Sequence, residues 1–206
     1  MPPYDFEQLY KTLIGAIAAG ETIGQRMQVV IDECERQFPH ADWERMRRID
    51  FDADLPVLKG WMTAAVREGV VRAGDQGLWF GLFNPVHDDN GATCDMVVAS
   101  GPSYDGDDLD WPCEIDLRDG VSYLHSRVLD AIYRIAYGGN AGLRNIAEYP
   151  LTLAYAAMAA TTALVQRLLP AELAALRGAA AGFDDGDALF IGVFDNLRFI
   201  QQVRAL

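Results

Sequence analysis

A chain of 206 residues is long enough to bury a self-sufficient core and fits one α+β domain over residues 1–206, with a mainly helical part over about residues 1–72. Thirty acidic against 17 basic side chains give a formal net charge of −13 and a pI near 4.5. That balance excludes a general nucleic-acid binder, whose phosphate contacts need clustered Lys and Arg, and suits a basic protein partner.

Cys34, Cys94 and Cys113 form no CxxC pair and leave one thiol over after any single disulfide, which fits a reducing cytoplasm. The opening Met1-Pro2-Pro3-Tyr4-Asp5-Phe6-Glu7 lacks the basic residues and unbroken apolar run of a secretory signal, so no export is expected. The longest uncharged stretch, Pro150 to Gln166, is shorter than the roughly 20 residues of a bilayer span and reads as a buried helix, so no membrane role is expected.

Taken in order, Asp5 caps a first helix that carries Phe6, Leu9, Tyr10, Leu13, Ile14 and Ile17 on one face and ends at Gly20. A second helix, from about Glu21 to Phe38, repeats Ile23, Met27, Val30, Ile31, Cys34 and Phe38 at helical spacing, which places Cys34 in the core. Pro39 breaks it. A short helix over about Asp42 to Ile49 then presents Glu44, Arg45, Arg47 and Arg48 to solvent, the one basic cluster of the chain. Asp54 next caps a helix with Leu55, Leu58, Met62, Ala65 and Val66 inward and Pro56 in its first turn.

Asp75 to Ser100 reads as a β-hairpin between two helical blocks. Leu78, Phe80 and Leu82 alternate with Trp79, Gly81 and Phe83, so both faces of the first strand are apolar and should be covered. Asn90-Gly91 supplies the positive φ of a tight turn, and the return strand through Cys94, Met96 and Val98 reads as nearer an edge. The least regular segment follows, between Ser100 and Gly120, with Tyr104, Trp111 and Ile115 embedded and a short strand expected over Glu114 to Leu117. Periodicity then predicts a helix from Val121 to about Tyr137, with Ser122 near its cap. An alanine-rich helix runs from near Ala141 to Leu169, interrupted at Tyr149-Pro150, and Pro170 opens a last short helix ending at Gly178. Asp187 to Asn196 repeats the pattern of the first strand after a similar acidic, glycine-bearing loop. It reads as the third strand of the sheet and as half of a degenerate helix-to-strand repeat, while Leu197 to Leu206 reads as helical. The expected class is α+β: a small, mostly antiparallel sheet, made by the hairpin and the C-terminal strand, packed among several α-helices.

No arrangement of residues is a specific catalytic signature, and neither a catalytic residue nor a cofactor or metal is assigned. Against the calcium-loop pattern, Leu109 stands in Asp105 to Asp110 where the fifth-position ligand should be, so the segment reads as a solvated acidic loop. His40, His87 and His125 form no HxxxH or HExxH pair, there is no GxSxG elbow, and Gly138-Gly139-Asn140 is explained by helix termination. Cys113 has no neighbouring His or Lys in sequence to lower its pKa. What remains is a surface: Asp88 and Asp89 at the hairpin tip, Asp105, Asp107, Asp108 and Asp110 on the long loop, and Asp184, Asp185 and Asp187 before the third strand. If these loops converge they form a negative face, with Tyr104, Trp111 and Phe183 as aromatic anchors for a basic partner.

The run Leu78-Trp79-Phe80-Gly81-Leu82-Phe83, followed by a glycine-bearing acidic loop and Asp108-Leu109-Asp110-Trp111-Pro112-Cys113, resembles small bacterial proteins of the polymorphic-toxin immunity type, over Leu78 to Cys113 only. The resemblance implies a cytoplasmic protein that occludes a toxin by steric and electrostatic contact. The favoured expectation is therefore a cytosolic protein-binding module acting through its acidic loops. The alternatives are an enzyme with a site assembled from the distant Glu148, Tyr149, His125 and Cys113, and a homo-oligomeric structural protein using a strand edge or the alanine-rich helix as its interface.

Overall fold

The computed structural model describes residues 5–20, 22–88, 91–107, 110–115, 121–138, 142–165, 170–184 and 186–205. Its first four helices follow the sequence periodicity: α1 (Phe6–Ala18), α2 (Ile23–Gln37), α3 (Trp43–Arg47) and α4 (Leu55–Arg67). The Asp5 side chain accepts from Gln8 N at 3.1 Å, and Thr22 with Gln25 forms a capping box at the start of α2. Cys34 is buried, as its spacing requires.

The sheet is larger than expected. Strands β1 (Gly77–Asp88), β2 (Gly91–Gly101) and β3 (Ser122–His125) form one antiparallel meander. Strands β4 (Gly178–Phe183), β5 (Ala188–Asp195) and β6 (Arg198–Ala205) form a second. The two halves join through a parallel pairing of β1 with β4, from Gly77↔Gly178 to Leu82↔Phe183, giving the order β3-β2-β1-β4-β5-β6. Beyond Leu82 the β4 side of β1 is open, and there the register with β2 shifts between Phe83 and Val86. Asn84-Pro85 occupies that irregularity, since proline cannot donate to a ladder and is tolerated at edges and bulges.

Several expectations are corrected. Residues Ser122–His125 are strand, and α5 (Arg127–Ala136) starts later, capped by Ser126, whose hydroxyl accepts from Leu129 N at 3.0 Å; Ser122 caps nothing. The helix α6 (Asn145–Val165) runs unbroken through Pro150. Gly178–Phe183 is a strand where a helix end and loop were expected, so β5 follows a strand and the proposed repeat pairs the wrong elements. The tail is strand β6, and Trp111–Glu114 forms a 3₁₀ turn, so Glu114 starts no strand; Asp116 and Leu117, the end of the short strand expected there, lie outside the described residues.

Every residue of α6 from Ala147 to Thr161 except Tyr149 is buried. A helix apolar all round belongs at the centre of a fold, and its alanines let α1, α2, α4, α5 and strands β1, β4, β5 and β6 approach its backbone. Its length from Ala147 to Thr161 is therefore covered within the fold. The helices bury the sheet face formed by Leu78, Phe80, Leu82, Cys94, Met96, Val98, Ala179, Ala181, Leu189 and Ile191. On the other face a second cluster gathers Trp79, Ala99, Trp111, Ile115 and Ala180, with Tyr104 against it. A Cβ on Gly77 would run into the Trp111 ring, and one on Gly178 into the Tyr104 ring, so these two glycines let the loop lie flat on the sheet.

Asp54 holds the N-cap position of α4, but its side chain makes no capping hydrogen bond there. Only 1% exposed, its carboxylate reaches to the start of α5, accepting from Ser126 Oγ at 2.5 Å, Arg127 N at 3.3 Å and Val128 N at 3.4 Å, and from Tyr155 OH on α6 at 2.8 Å. Backbone N–H groups at a helix start are short of partners and favour a negative charge. This carboxylate thus ties α4, α5 and α6 together beneath the sheet.

Candidate functional site

The parallel strands β1 and β4 end side by side at Leu82 and Phe183, and two depressions open there on either side of Asp184. The first, of about 300 Å³, lies between Trp79, the Asp110–Ile115 segment and the turn from Phe183 to Ala188. The second, of about 410 Å³, is lined by Leu82, Phe83, Glu148, Tyr149, Phe183, Asp184 and Gly186. Asp184 is seated between them: its Oδ1 accepts from Trp79 Nε1 at 3.3 Å, and a Cβ on Gly81 would come within 2.7 Å of that oxygen. Neither lining contains a lysine or arginine among the described residues.

Helix α6 brings Glu148 and Tyr149 to the second depression from its first turns. Glu148 is 6% exposed, and its Oε1 accepts from Tyr133 OH of α5 at 2.7 Å. The Tyr149 ring stacks on Phe183, with centroids 5.3 Å apart and planes 9° from parallel, and its hydroxyl meets Tyr10 OH at 3.0 Å. Burial pushes the Tyr10 phenol well up, and the charge of Asp187 and a hydrogen bond to it push in the same direction. Behind the wall, burial first and then the charges of Glu148, Asp95 and Asp184 push the Cys94 thiol up, so it stays protonated and unreactive. Among the described residues the two linings therefore combine carboxylates with apolar and aromatic side chains and carry no basic one.

The acidic residues named from the sequence separate into two groups. Asp110 and Asp184, with Asp187, line the first depression and are exposed. Asp105 and Asp107 are also exposed but sit around Tyr104 together with Arg204, so that group carries its own cation. Asp89, Asp108 and Asp185 lie outside the described residues, as does the side chain of Asp88.

The aromatic anchors are corrected. Trp111 is 2% exposed over Gly77, and Tyr104 is half-buried, 5.5 Å from Trp111 and stacked at 6.2 Å on Phe190, which Arg204 covers in turn at 4.7 Å. Both spend their area on the sheet because only glycine lies beneath them.

Of the four residues considered for an enzyme, Glu148 and Tyr149 share the second depression and the exposed Cys113 lines the first. His125 lies elsewhere, bridging Asp95 (Nδ1 to Oδ1, 2.9 Å) and Asp130 (Nε2 to Oδ2, 3.0 Å). The hydrogen bond to Asp95 leads in raising its pKa, and Asp130 adds to it. Sequence reasoning missed Tyr10 and Tyr133 as parts of the site. Tyr10 is 139 positions from Tyr149, and no local pattern signals such a pairing.

Among the described residues no three His, Cys, Asp or Glu side chains are placed to hold a metal ion, and no helix is long and apolar enough to cross a membrane. Comparisons with family models, curated proteins and solved structures found no match to this chain.

Proposed function

We propose that the chain is a cytosolic protein-binding module for a basic partner, in the manner of an immunity protein that occludes a toxin without a chemical step. The observation that carries this reading is the grouping of Asp110, Asp184 and Asp187 around the apolar surfaces of Trp79, Pro112 and Phe183. Carboxylates on a rim steer a cationic partner and fix its register, while the apolar floor supplies contact area. The net charge of −13 adds attraction at longer range.

The test is capture from a lysate of the native organism, at low and moderate salt, with wild type and a variant carrying Lys at Asp110, Asp184 and Asp187. The association rate of the purified partner is then measured with both proteins. A basic partner is expected, with association slowed roughly tenfold or more by the reversal and slowed further by added salt. An unchanged association rate in the folded variant would refute the reading.

A further inference from the structure

We infer that the exposed pair of Phe83 and Tyr123 is the apolar anchor of the docking face, and that it receives a large apolar side chain flanked by basic ones on a protein partner. The choice of a basic partner rests on the function proposed above; the choice of anchor rests on the sheet. Among the described residues three aromatic side chains are exposed, and these two touch, with ring centroids 6.1 Å apart and planes 79° from parallel. With that contact made, Phe83 is still 47% exposed and Tyr123 55%. Single exposed hydrophobics are ordinary, whereas aromatic side chains that adjoin on a surface are what protein contacts use.

Strand register places the pair. Gly81, Val97 and Tyr123 lie in one row across β1, β2 and β3, and Phe83 stands two residues beyond Gly81 on the same face. This is the face turned away from the helices. The segment carrying Tyr104, Trp111 and Ile115 covers it over Trp79, Ala99 and Ala180, one row short of Gly81. Phe83 also lines the second depression, so the pair continues the candidate site. Tyr104 and Trp111 spend their area on the sheet, and the exposed aromatic surface beside the site is that of Phe83 and Tyr123.

The charges beside the pair select the occupant. A Cβ on Gly81 would come within 2.7 Å of both Asp184 Oδ1 and Val97 Cγ2, so this carboxylate overhangs the row that ends at Tyr123. It acts here by its charge, beside the contacts it already makes, and Asp187 extends the negative edge around the first depression. His125, in the next row, is held between Asp95 and Asp130, so that group adds no net positive charge. Gly81 and Tyr123 are two strand spacings apart, roughly 10 Å, and same-side neighbours in an extended segment stand about 7 Å apart. A basic and an apolar side chain two positions apart thus reach the carboxylate and the rings together. A second copy of this chain is a poor occupant, because it brings the same carboxylates and another net charge of −13, and like charges facing across an interface oppose association.

The experiment is a ¹H–¹⁵N titration of the full chain with the blocked peptide Arg-Ser-Leu-Ser-Arg, run beside Arg-Ser-Ser-Ser-Arg and Glu-Ser-Leu-Ser-Glu. Saturable shifts are expected for the first peptide at Phe83, Val97, Tyr123 and the Trp79 indole N–H. The second should bind several-fold more weakly and the third should not saturate. Phe83→Ala and Tyr123→Ala should each weaken the first peptide roughly tenfold, as loss of an anchor does, while Tyr123→Phe keeps the ring and the binding; the amide spectrum of each variant reads its fold. Absence of saturable binding, equal binding of the first two peptides, or indifference to both alanine variants overturns the inference. So does a dimer in sedimentation that Tyr123→Ala dissociates, which would make a second copy the occupant. If the two arginine peptides bind equally and both are lost on Asp184→Asn with Asp187→Asn, the anchor falls and the acidic docking face stands. If the first peptide binds through the pair with no response to salt or to those two changes, the apolar anchor stands and the reading as a face for basic partners falls.

Discussion

Replacing Asp54 by alanine should be among the most damaging single changes in this protein, although the residue touches no depression. The substitution strands the hydroxyls of Ser126 and Tyr155, both buried, and removes the anion at the start of α5. A buried donor left without a partner costs about 1–3 kcal/mol, and a charge at a helix start about 0.3–1 kcal/mol. Relief from holding a carboxylate away from water offsets part of this, so the expected loss is about 3 kcal/mol. At a urea slope of about 2–3 kcal/mol/M, the unfolding midpoint should fall by roughly 1–1.5 M. Asp54→Asn retains an acceptor and should lose less, and Tyr155→Phe, which removes one donor with its partner otherwise occupied, about 1 kcal/mol. Equilibrium urea unfolding followed by circular dichroism reads all three. An Asp54→Ala midpoint within about 0.3 M of wild type at unchanged slope would refute the claim that this carboxylate ties three helices together.

The remaining predictions concern pH and the loop. His125 donates to both Asp95 and Asp130 only as the imidazolium, so its folded-state pKa lies above the unfolded value of 6.5. The bridge therefore stabilises fully below about pH 6.5 and its contribution is lost as pH rises through the raised folded value. With the ring 56% exposed, the effect stays under about 1 kcal/mol. Melting curves of wild type and His125→Gln should differ near pH 5.5 and converge near pH 9; a constant gap would refute the linkage. Gly77→Ala should push the Trp111 ring off the sheet, at about 1–3 kcal/mol, and shift Trp fluorescence to longer wavelength. An unshifted spectrum with unchanged stability would refute the role assigned to that glycine.

The helices that read clearly in the sequence are those with one apolar stripe and a distinct cap, such as Asp5 before α1 and Thr22 before α2. Two of the missed strands were hidden for different reasons. β4 is Gly178-Ala-Ala-Ala-Gly-Phe183, poor in β-branched residues, and is a strand because β1 and β5 flank it and Tyr104 leaves room only for glycine at its start. β3 hid because Leu124 falls at helical spacing from Val128, so one period ran through the boundary that Ser126 sets. At the candidate site, Asp110 and Asp184 were legible as exposed acids and Glu148 as a residue near a proline. Their convergence was not, because it depends on the parallel register of β1 with β4 and on tyrosines from α1 and α5.

The parallel junction also bears on when the site comes into being. Its paired residues, Gly77 with Gly178 through Leu82 with Phe183, lie roughly a hundred positions apart, and contacts so distant carry a large loop-closure cost before they are rewarded. Each three-stranded meander pairs strands that are closer in sequence, whereas the seam joins strands with α5 and α6 between them in the chain. The two depressions straddle the end of that seam, so a chain halted before β4 has neither, and any ligand bound there would stabilise only completed molecules, by an amount that grows with the logarithm of its concentration relative to its dissociation constant. Occupancy of the site is thereby a readout of finished folding.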